Sequence, residues 1–237
     1  MESLKNKVVY ITGGTKGIGY GVAVTLLEQG MRVAISGRHI ETAQKAAESL
    51  GNEEQVLAIE SNVSNLGDEK KAIEKILKKW GQLDVVLANA GVGIFAPVDQ
   101  LSDADWKSMI DTNLTGAFYT LKATVEALKK SQGYYISLAS LAGTNFFAQA
   151  AGYNASKFGL VGFTQAAMLD LRPHGIKVST IMPGSVATYF NDHTPNDKDA
   201  WKIQPEDIGK LVLDLLTMHP RTLPSKIEVR PSRPDLK

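Results

Sequence analysis

Thr12-Gly13-Gly14-Thr15-Lys16-Gly17-Ile18-Gly19 is the stretch on which the reading of the chain turns. It ends an apolar run at residues 8–12 and opens a helical pattern at residues 18–29. Glycines between a strand and a helix let backbone N–H groups approach an anion, and the helix N-terminus adds partial positive charge. A glycine turn that binds nothing has the same composition, so the surrounding pattern must choose between the two readings.

Beyond this turn, runs rich in Val and Ile recur at residues 32–36, 56–61, 85–88, 134–138, 177–182 and, more weakly, 226–229. Most lack strict alternation, as strands covered on both faces do. Further helical patterns lie at residues 40–50, 68–80, 103–130, 153–171 and 205–218. Strand–helix–strand order repeated in this way predicts an α/β fold. The sheet is doubly wound, parallel and seven-stranded, with helices on both faces, in a single domain over residues 1–237. In that setting the glycine turn after the first strand favours a dinucleotide over an empty turn. The lysine-rich pattern at 68–80 reads as a solvated face, supported by pairs such as Glu74 and Lys78.

Composition narrows the function classes. The 26 basic and 25 acidic residues leave a net charge of +1, which favours neither nucleic acid nor an anionic membrane as partner. With no cysteine in the chain, disulfides, thiolate nucleophiles and cysteine metal sites are excluded. His39, His174, His193 and His219 lack metal-ligand spacing and read as surface or loop residues, so no metal is expected. No run approaches the roughly 18 apolar residues of a membrane span, and the start at Met1-Glu2-Ser3 has no apolar signal region. A soluble, cytoplasmic protein is the expectation.

Several motifs carry chemistry. Asn89-Ala90-Gly91 follows the fourth strand, and Asn113 stands within Asp111-Thr112-Asn113. Ser140 follows the fifth strand, thirteen residues before Tyr153 in Tyr153-Asn154-Ala155-Ser156-Lys157, and Pro183-Gly184 precedes Thr188. Tyr153 and Lys157, four apart in a helical pattern, share a face. An ammonium held near the phenol is expected to lower its pKa from about 10 and make tyrosinate accessible near neutral pH. Ser140, at a strand end, is placed either to polarise a carbonyl or simply to form a turn.

Together these motifs resemble the short-chain dehydrogenase/reductase family, of the NADP-linked carbonyl reductase type, over nearly the whole chain. Gly13, Gly17 and Gly19 match its TGxxxGxG loop, Asn89-Ala90-Gly91 its NAG motif, Tyr153 and Lys157 its YxxxK signature, and Pro183-Gly184 with Thr188 its PGxxxT element. The resemblance implies a Rossmann-type fold and hydride transfer between NADP(H) and a small-molecule carbonyl or alcohol. Tyr153 is then the general acid–base. Lys157 lowers its pKa and holds the nicotinamide ribose, Ser140 orients the substrate oxygen, and Asn113 supports a water continuing the proton relay. The implied cofactor contacts are Gly13, Thr15, Lys16, Gly17, Ile18, Gly19, Arg38, Asn62, Val63, Asn89, Ala90, Gly91, Tyr153, Lys157, Pro183, Gly184, Val186 and Thr188. A homodimer or homotetramer is implied, paired through the helices at 103–130 and 153–171.

NADP over NAD follows from charge. In Ile35-Ser36-Gly37-Arg38, Gly37 stands where NAD-selective sites place an acid, Arg38 suits a phosphate, and Lys16 approaches from the other side. The chain departs from the family in having Asn62-Val63 for Asp-Val, and in lacking a Gly-Gly–aromatic element after the last strand. A 3-oxoacyl-thioester (acyl carrier protein) reductase is the alternative within the same chemistry. Outside it stand a non-catalytic NADP-binding sensor or scaffold and a lyase or epimerase. Segment 184–204 is the expected substrate loop, with few anchors over 191–202. Phe146, Phe147, Tyr189, Phe190 and Trp201 are the candidate pocket rings, and residues 230–237 form an extended tail.

Overall fold

The structure is a computed structural model and describes residues 3–233. Strands β1 (Val8–Ile11), β2 (Arg32–Gly37), β3 (Val56–Glu60), β4 (Val85–Ala88), β5 (Tyr134–Leu138), β6 (Lys177–Pro183) and β7 (Lys226–Val229) form one sheet in the order β3-β2-β1-β4-β5-β6-β7. Every pairing is parallel, so all strand C-termini open on one edge. Between β1 and β4 the winding reverses, and the loops after these two strands diverge over a crevice. The sheet is therefore the expected one, and its strands lie within a residue of the apolar runs.

Successive residues of a strand face opposite sides. Val8 and Tyr10 join one core with Ile73 and Ile76 of α3 (Leu66–Trp80), Leu121 and Leu128 of α5 (Gly116–Ser131) and Leu160 of α6 (Ala151–Leu171). Val9 and Ile11 join the other, with Val22 and Leu26 of α1 (Gly17–Glu28) and Ile208 and Val212 of α7 (Pro205–Thr217). The helix α2 (Ile40–Leu50) buries Ala43 and Ala46. In α3 the first residue lies two positions before the apolar pattern, because the Asn65 side chain accepts from the Gly67 and Asp68 N–H groups and caps the turn there.

One helix departs from its sequence pattern. The single stretch expected at 103–130 is divided into α4 (Asp103–Ile110), a π-helical turn at Asp111–Thr115, and α5. The Gly116 N–H reaches back to the Asp111 carbonyl across that turn, and Asn113 lies inside it. A π turn inserts one residue into an otherwise regular helix, and such turns gather at functional sites.

Among the described residues no helix is long and apolar enough to cross a membrane, and no cluster of metal-ligating side chains occurs. The tail is held at its start, where the Gly184 N–H donates to the Val229 carbonyl and Arg230 pairs with Glu228 at 2.9 Å. Its end, residues 234–237, lies outside the described residues. Phe118 and Phe158, on the two helices through which assembly is implied, stay partly exposed.

A buried carboxylate ties the layers together. Glu69 of α3 is fully buried and accepts from the Tyr10 hydroxyl at 2.9 Å, Ser61 at 2.6 Å and Thr120 at 2.8 Å. Burial raises its pKa although the three hydroxyls pull the other way. Removing the acceptor leaves the Ser61 hydroxyl without its partner and takes one acceptor each from Tyr10 and Thr120, which keep Ser36 and the Gly116 carbonyl. An unpaired buried donor costs on the order of 1–3 kcal/mol. Glu69→Ala is expected to lower the unfolding free energy by about 1–3 kcal/mol and Glu69→Gln by less than half of that, as read by urea denaturation. Equal losses would show that the acceptor is not what matters.

Candidate active site

Thr12 and Asn89 fix the glycine loop. The Thr12 hydroxyl accepts from the Asn89 and Ala90 N–H groups at 3.0 and 3.1 Å. The Asn89 carboxamide donates to the Thr12 and Gly13 carbonyls at 2.8 and 3.0 Å. Gly13 and Gly17 have φ of 63° and 58°, a region that disfavours side chains, so the loop needs glycine there. At the head of α1 there is neither a side-chain cap nor an acid in the first turn, which leaves its N–H groups free for an anion. Ile18 packs into the core below, and Thr15 lies against Gly37, where an added Cβ would stand 2.8 Å from its methyl carbon. Lys16 and Arg38 are both exposed near this turn, and the Lys16 ammonium also sits 5.7 Å from the centre of the Tyr189 ring.

The other expected cofactor contacts lie along the same strand edge. Asn62 spends its side-chain oxygen on the Ser64 N–H, and Val63 is buried where Gly116 leaves it room. Gly91 is exposed, and a Cβ there would stand 3.3 Å from the Asn113 side-chain oxygen and 3.6 Å from the Lys157 amine. Pro183 ends β6, Val186 pairs with Ile203, and Thr188 lies opposite Gly17.

Tyr153, Lys157, Ser140 and Asn113 converge where β5 ends. Lys157 is buried, and its amine donates to the Leu138 carbonyl at 3.0 Å and lies 5.7 Å from the centre of the Tyr153 ring. Ser140 accepts from the Ala142 N–H, capping a short 3₁₀ turn, and is also hydrogen-bonded to Tyr153. The turn-forming reading of Ser140 is the one this geometry shows. The Asn113 carboxamide accepts from the Val92 N–H at 2.8 Å and donates to the Val92 carbonyl at 2.8 Å and to Ser156 at 2.9 Å. It thereby joins the π turn to the loop after β4 and to α6.

The electrostatics correct one expectation. In the protein alone the phenol is not lowered: burial pushes the Tyr153 pKa up to about 12, against a smaller downward pull from Ser140. The same burial brings the Lys157 amine down to about 8. Desolvation penalises each charged form, and the downward pull on the phenol comes from Ser140.

The loops over this centre differ from the sequence reading in two respects. Segment 191–202 has anchors after all. Asp199 is buried and bonds Lys202 at 2.6 Å and His193, and these bonds hold its carboxyl well below the usual carboxylate range. The Asn196 side chain caps the short turn at Asp197–Asp199. The rings on Tyr153 are Phe95 and Phe190, and Phe147 packs on the Phe95 ring. Phe146 instead stacks on Phe158, while Tyr189 and Trp201 lie against lysines. Two more residues escaped the sequence reading: Leu138, through its carbonyl, and Asn154, whose carboxamide holds the Phe147 loop by the Ala142 and Asn145 carbonyls.

Comparison with known proteins agrees with this geometry. The family described as short chain dehydrogenase matches residues 7–199. An uncharacterized oxidoreductase of Staphylococcus aureus strain USA300 is 32% identical over 233 residues, covering 98% of this chain and all of the relative. The X-ray structure of an alcohol dehydrogenase from the archaeon Thermococcus sibiricus, complexed with 5-hydroxy-NADP, superposes with a TM-score of 0.90 at 28% identity. It covers 98% of this chain and 100% of that one. A metagenomic short-chain oxidoreductase in complex with NADP gives 0.84 at 31% identity, over 98% and 100%.

The buried amine makes stability depend on pH in a stated direction. With Lys157 at about 8 in the folded chain and an ordinary value of 10.5, the unfolded chain binds more protons between those limits. Its contribution to stability therefore rises with pH through that window and is lost as pH falls to 8. Unfolding free energies of the wild type and Lys157→Met are expected to diverge in favour of the wild type by about 2–3 kcal/mol between pH 7.5 and pH 10. Parallel profiles would mean that the amine is not desolvated.

Proposed function

The chain belongs to the short-chain dehydrogenase family, and from that premise we propose that it is an NADPH-dependent carbonyl reductase with Tyr153 as proton donor. The observation that carries the reading is the convergence of Tyr153, Lys157 and Ser140 at one buried strand end. Family membership makes the protein an oxidoreductase; the cofactor, the reaction on a carbonyl and the residue roles are the proposed part.

The chain's residues suit a nicotinamide dinucleotide. The free N–H groups at the head of α1, with Gly13 and Gly17 in left-handed conformations, suit the pyrophosphate. Gly91 brings bare backbone beside Asn113 and Lys157, where the ribose of the nicotinamide would be held, and Thr188 would bond the carboxamide. Lys16 and Arg38 would bind the 2′-phosphate of NADP. When bound, the reduced dinucleotide supplies a hydride to the carbonyl carbon.

The protein's part is to hold the oxygen and to deliver a proton. Ser140 donates a hydrogen bond to the carbonyl oxygen. The phenol, kept protonated at neutral pH by its burial, transfers its proton to that oxygen as negative charge develops. Lys157 stands behind the phenol and favours the tyrosinate left by the transfer. Asn113 braces the loop after β4, and its π turn supports the water through which the proton is replaced. Segment 184–204 covers the substrate.

Two measurements test the reading. Tyr153→Phe removes only the hydroxyl, and general acid catalysis is typically worth about 10²–10⁴-fold. NADPH-dependent reduction of a ketone and aldehyde panel is expected to fall by that range while NADPH affinity stays within about threefold. Turnover near the wild-type rate would refute Tyr153 as the donor. A charged hydrogen bond contributes about 1.5–3 kcal/mol, so wild-type kcat/KM is expected to favour NADPH over NADH by about tenfold or more. Arg38→Leu should erase most of that preference by weakening NADPH alone, and an Arg38→Leu variant with unchanged NADPH affinity would remove the argument for NADP.

A further inference from the structure

Three rings from three different loops cluster beside Tyr153, two of them on its ring and the third on Phe95. Phe95 comes from the loop after β4, Phe147 from the loop after Ser140, and Phe190 from the segment after β6. The Phe95 ring centre lies 5.4 Å from Tyr153, 5.9 Å from Phe147 and 6.5 Å from Phe190, and Phe190 lies 5.7 Å from Tyr153. Interplanar angles between 40° and 71° set the rings edge to face or tilted, the arrangement that aromatic quadrupoles favour. Phe147 and Phe190 both pack on Phe95. Both are only half-covered, at 49% and 39% exposure, so each offers apolar surface still to be buried.

The arrangement is held in place from below. The Ala96 N–H donates to the Gln149 carbonyl at 2.9 Å and joins the Phe95 and Phe147 loops. Gly93 lies so close to the Phe190 ring that a Cβ there would collide with it. Tyr153 shares an apolar cluster with Met109, Ala142, Ala150, Val92, Ile94 and Leu101. Ser140 is the polar group at the phenol, and the Lys157 amine behind it disfavours a cationic guest.

We propose that Phe95, Phe147 and Phe190 form a selectivity cage that takes the aromatic ring of an aryl ketone or aryl aldehyde, with the carbonyl directed to Tyr153 and Ser140. The proposal rests on the reductase reading and names its substrate class. A saturated ring of the same size buries similar area but lacks the edge-to-face attraction, which is equivalent to about two- to tenfold in binding for each ring pair. A carboxylate or phosphate group on the substrate finds no partner within the cage. Flexible acyl chains gain area alone.

The test compares acetophenone with cyclohexyl methyl ketone at saturating NADPH in the full chain and in Phe95→Leu, Phe190→Leu and Phe147→Leu. The last variant, at a half-exposed loop position, guards against loss of folding in the others. Wild type is expected to prefer the aryl ketone by about tenfold or more in kcat/KM, and each leucine variant to reduce that ratio to about threefold or less. A wild-type ratio near one, or a ratio unchanged in all three variants, overturns the cage while leaving the reductase intact. Saturation-transfer NMR on the chain saturated with NADP⁺ separates the remaining cases. Selective aryl binding that the leucine variants abolish, without turnover of either ketone, keeps the cage and refutes carbonyl reduction. Neither turnover nor selective binding refutes both.

Discussion

The hydrogen bond from the buried Lys157 amine to the Leu138 carbonyl is the joint on which the site depends. It fastens α6 to the end of β5, and α6 carries Tyr153 one turn before the amine. A lysine in this position is a poor choice for stability, since burial removes the hydration of its charge and one carbonyl replaces only part of it. The lowered pKa measures that cost. What the arrangement gains is a cation source fixed beside a phenol rather than swinging in solvent. Everything else at this centre, from Ser140 to the bracing amide of Asn113, is arranged around a phenol whose place the amine has already determined.

A second constraint comes from the direction of the strands. Because all seven run parallel, each loop that could carry chemistry emerges on the same edge, and only the reversal between β1 and β4 opens a crevice there. Thr12 and Asn89 bridge that crevice at its base. Their four hydrogen bonds hold the glycine loop of one half against the loop of the other. The anion-binding head of α1 is thereby set at a fixed distance from the Tyr153 side, as a rigid site for a long dinucleotide requires. Glu69 does the corresponding work inside, drawing together β1, the end of β3 and α5 under the half of the sheet that faces Arg38.

Much of this was legible in the sequence, for identifiable reasons. Strands buried on both faces advertise themselves as short Val and Ile runs, and the glycine turn is written in residues that tolerate positive φ. Tyr153 and Lys157 share a face because four residues make about one turn. What sequence periodicity could not show was the π turn around Asn113, since one extra residue shifts the register of a pattern without erasing it. The fate of each ring was also hidden. Five were proposed for the pocket, yet of these Phe190 packs on Tyr153 and Phe147 on Phe95, which itself lies against Tyr153. Loop side chains have no period from which a direction can be read. The polar segment 191–202 looked unanchored because the burial of Asp199 between His193 and Lys202 depends on how a local turn folds, and its residues have an ordinary loop composition.

The expectation of a ready tyrosinate failed for a reason that sharpens the chemistry. Proximity of opposite charges lowers a phenol pKa only when both charges survive burial. Here the medium that brings Tyr153 up to about 12 also brings Lys157 down to about 8, so the buried pair resists separating into ions. A site of that kind holds its proton on the phenol until new negative charge appears in front of it. In the proposed reduction, negative charge developing on a carbonyl oxygen would meet that demand, and the ammonium form of Lys157 would stabilise the tyrosinate left behind. The same desolvation that forbids tyrosinate at rest makes each hydrogen bond to the developing oxyanion count for more. Burial therefore acts on both sides of the proton transfer, holding the acid in reserve and strengthening its pull when the oxygen becomes basic.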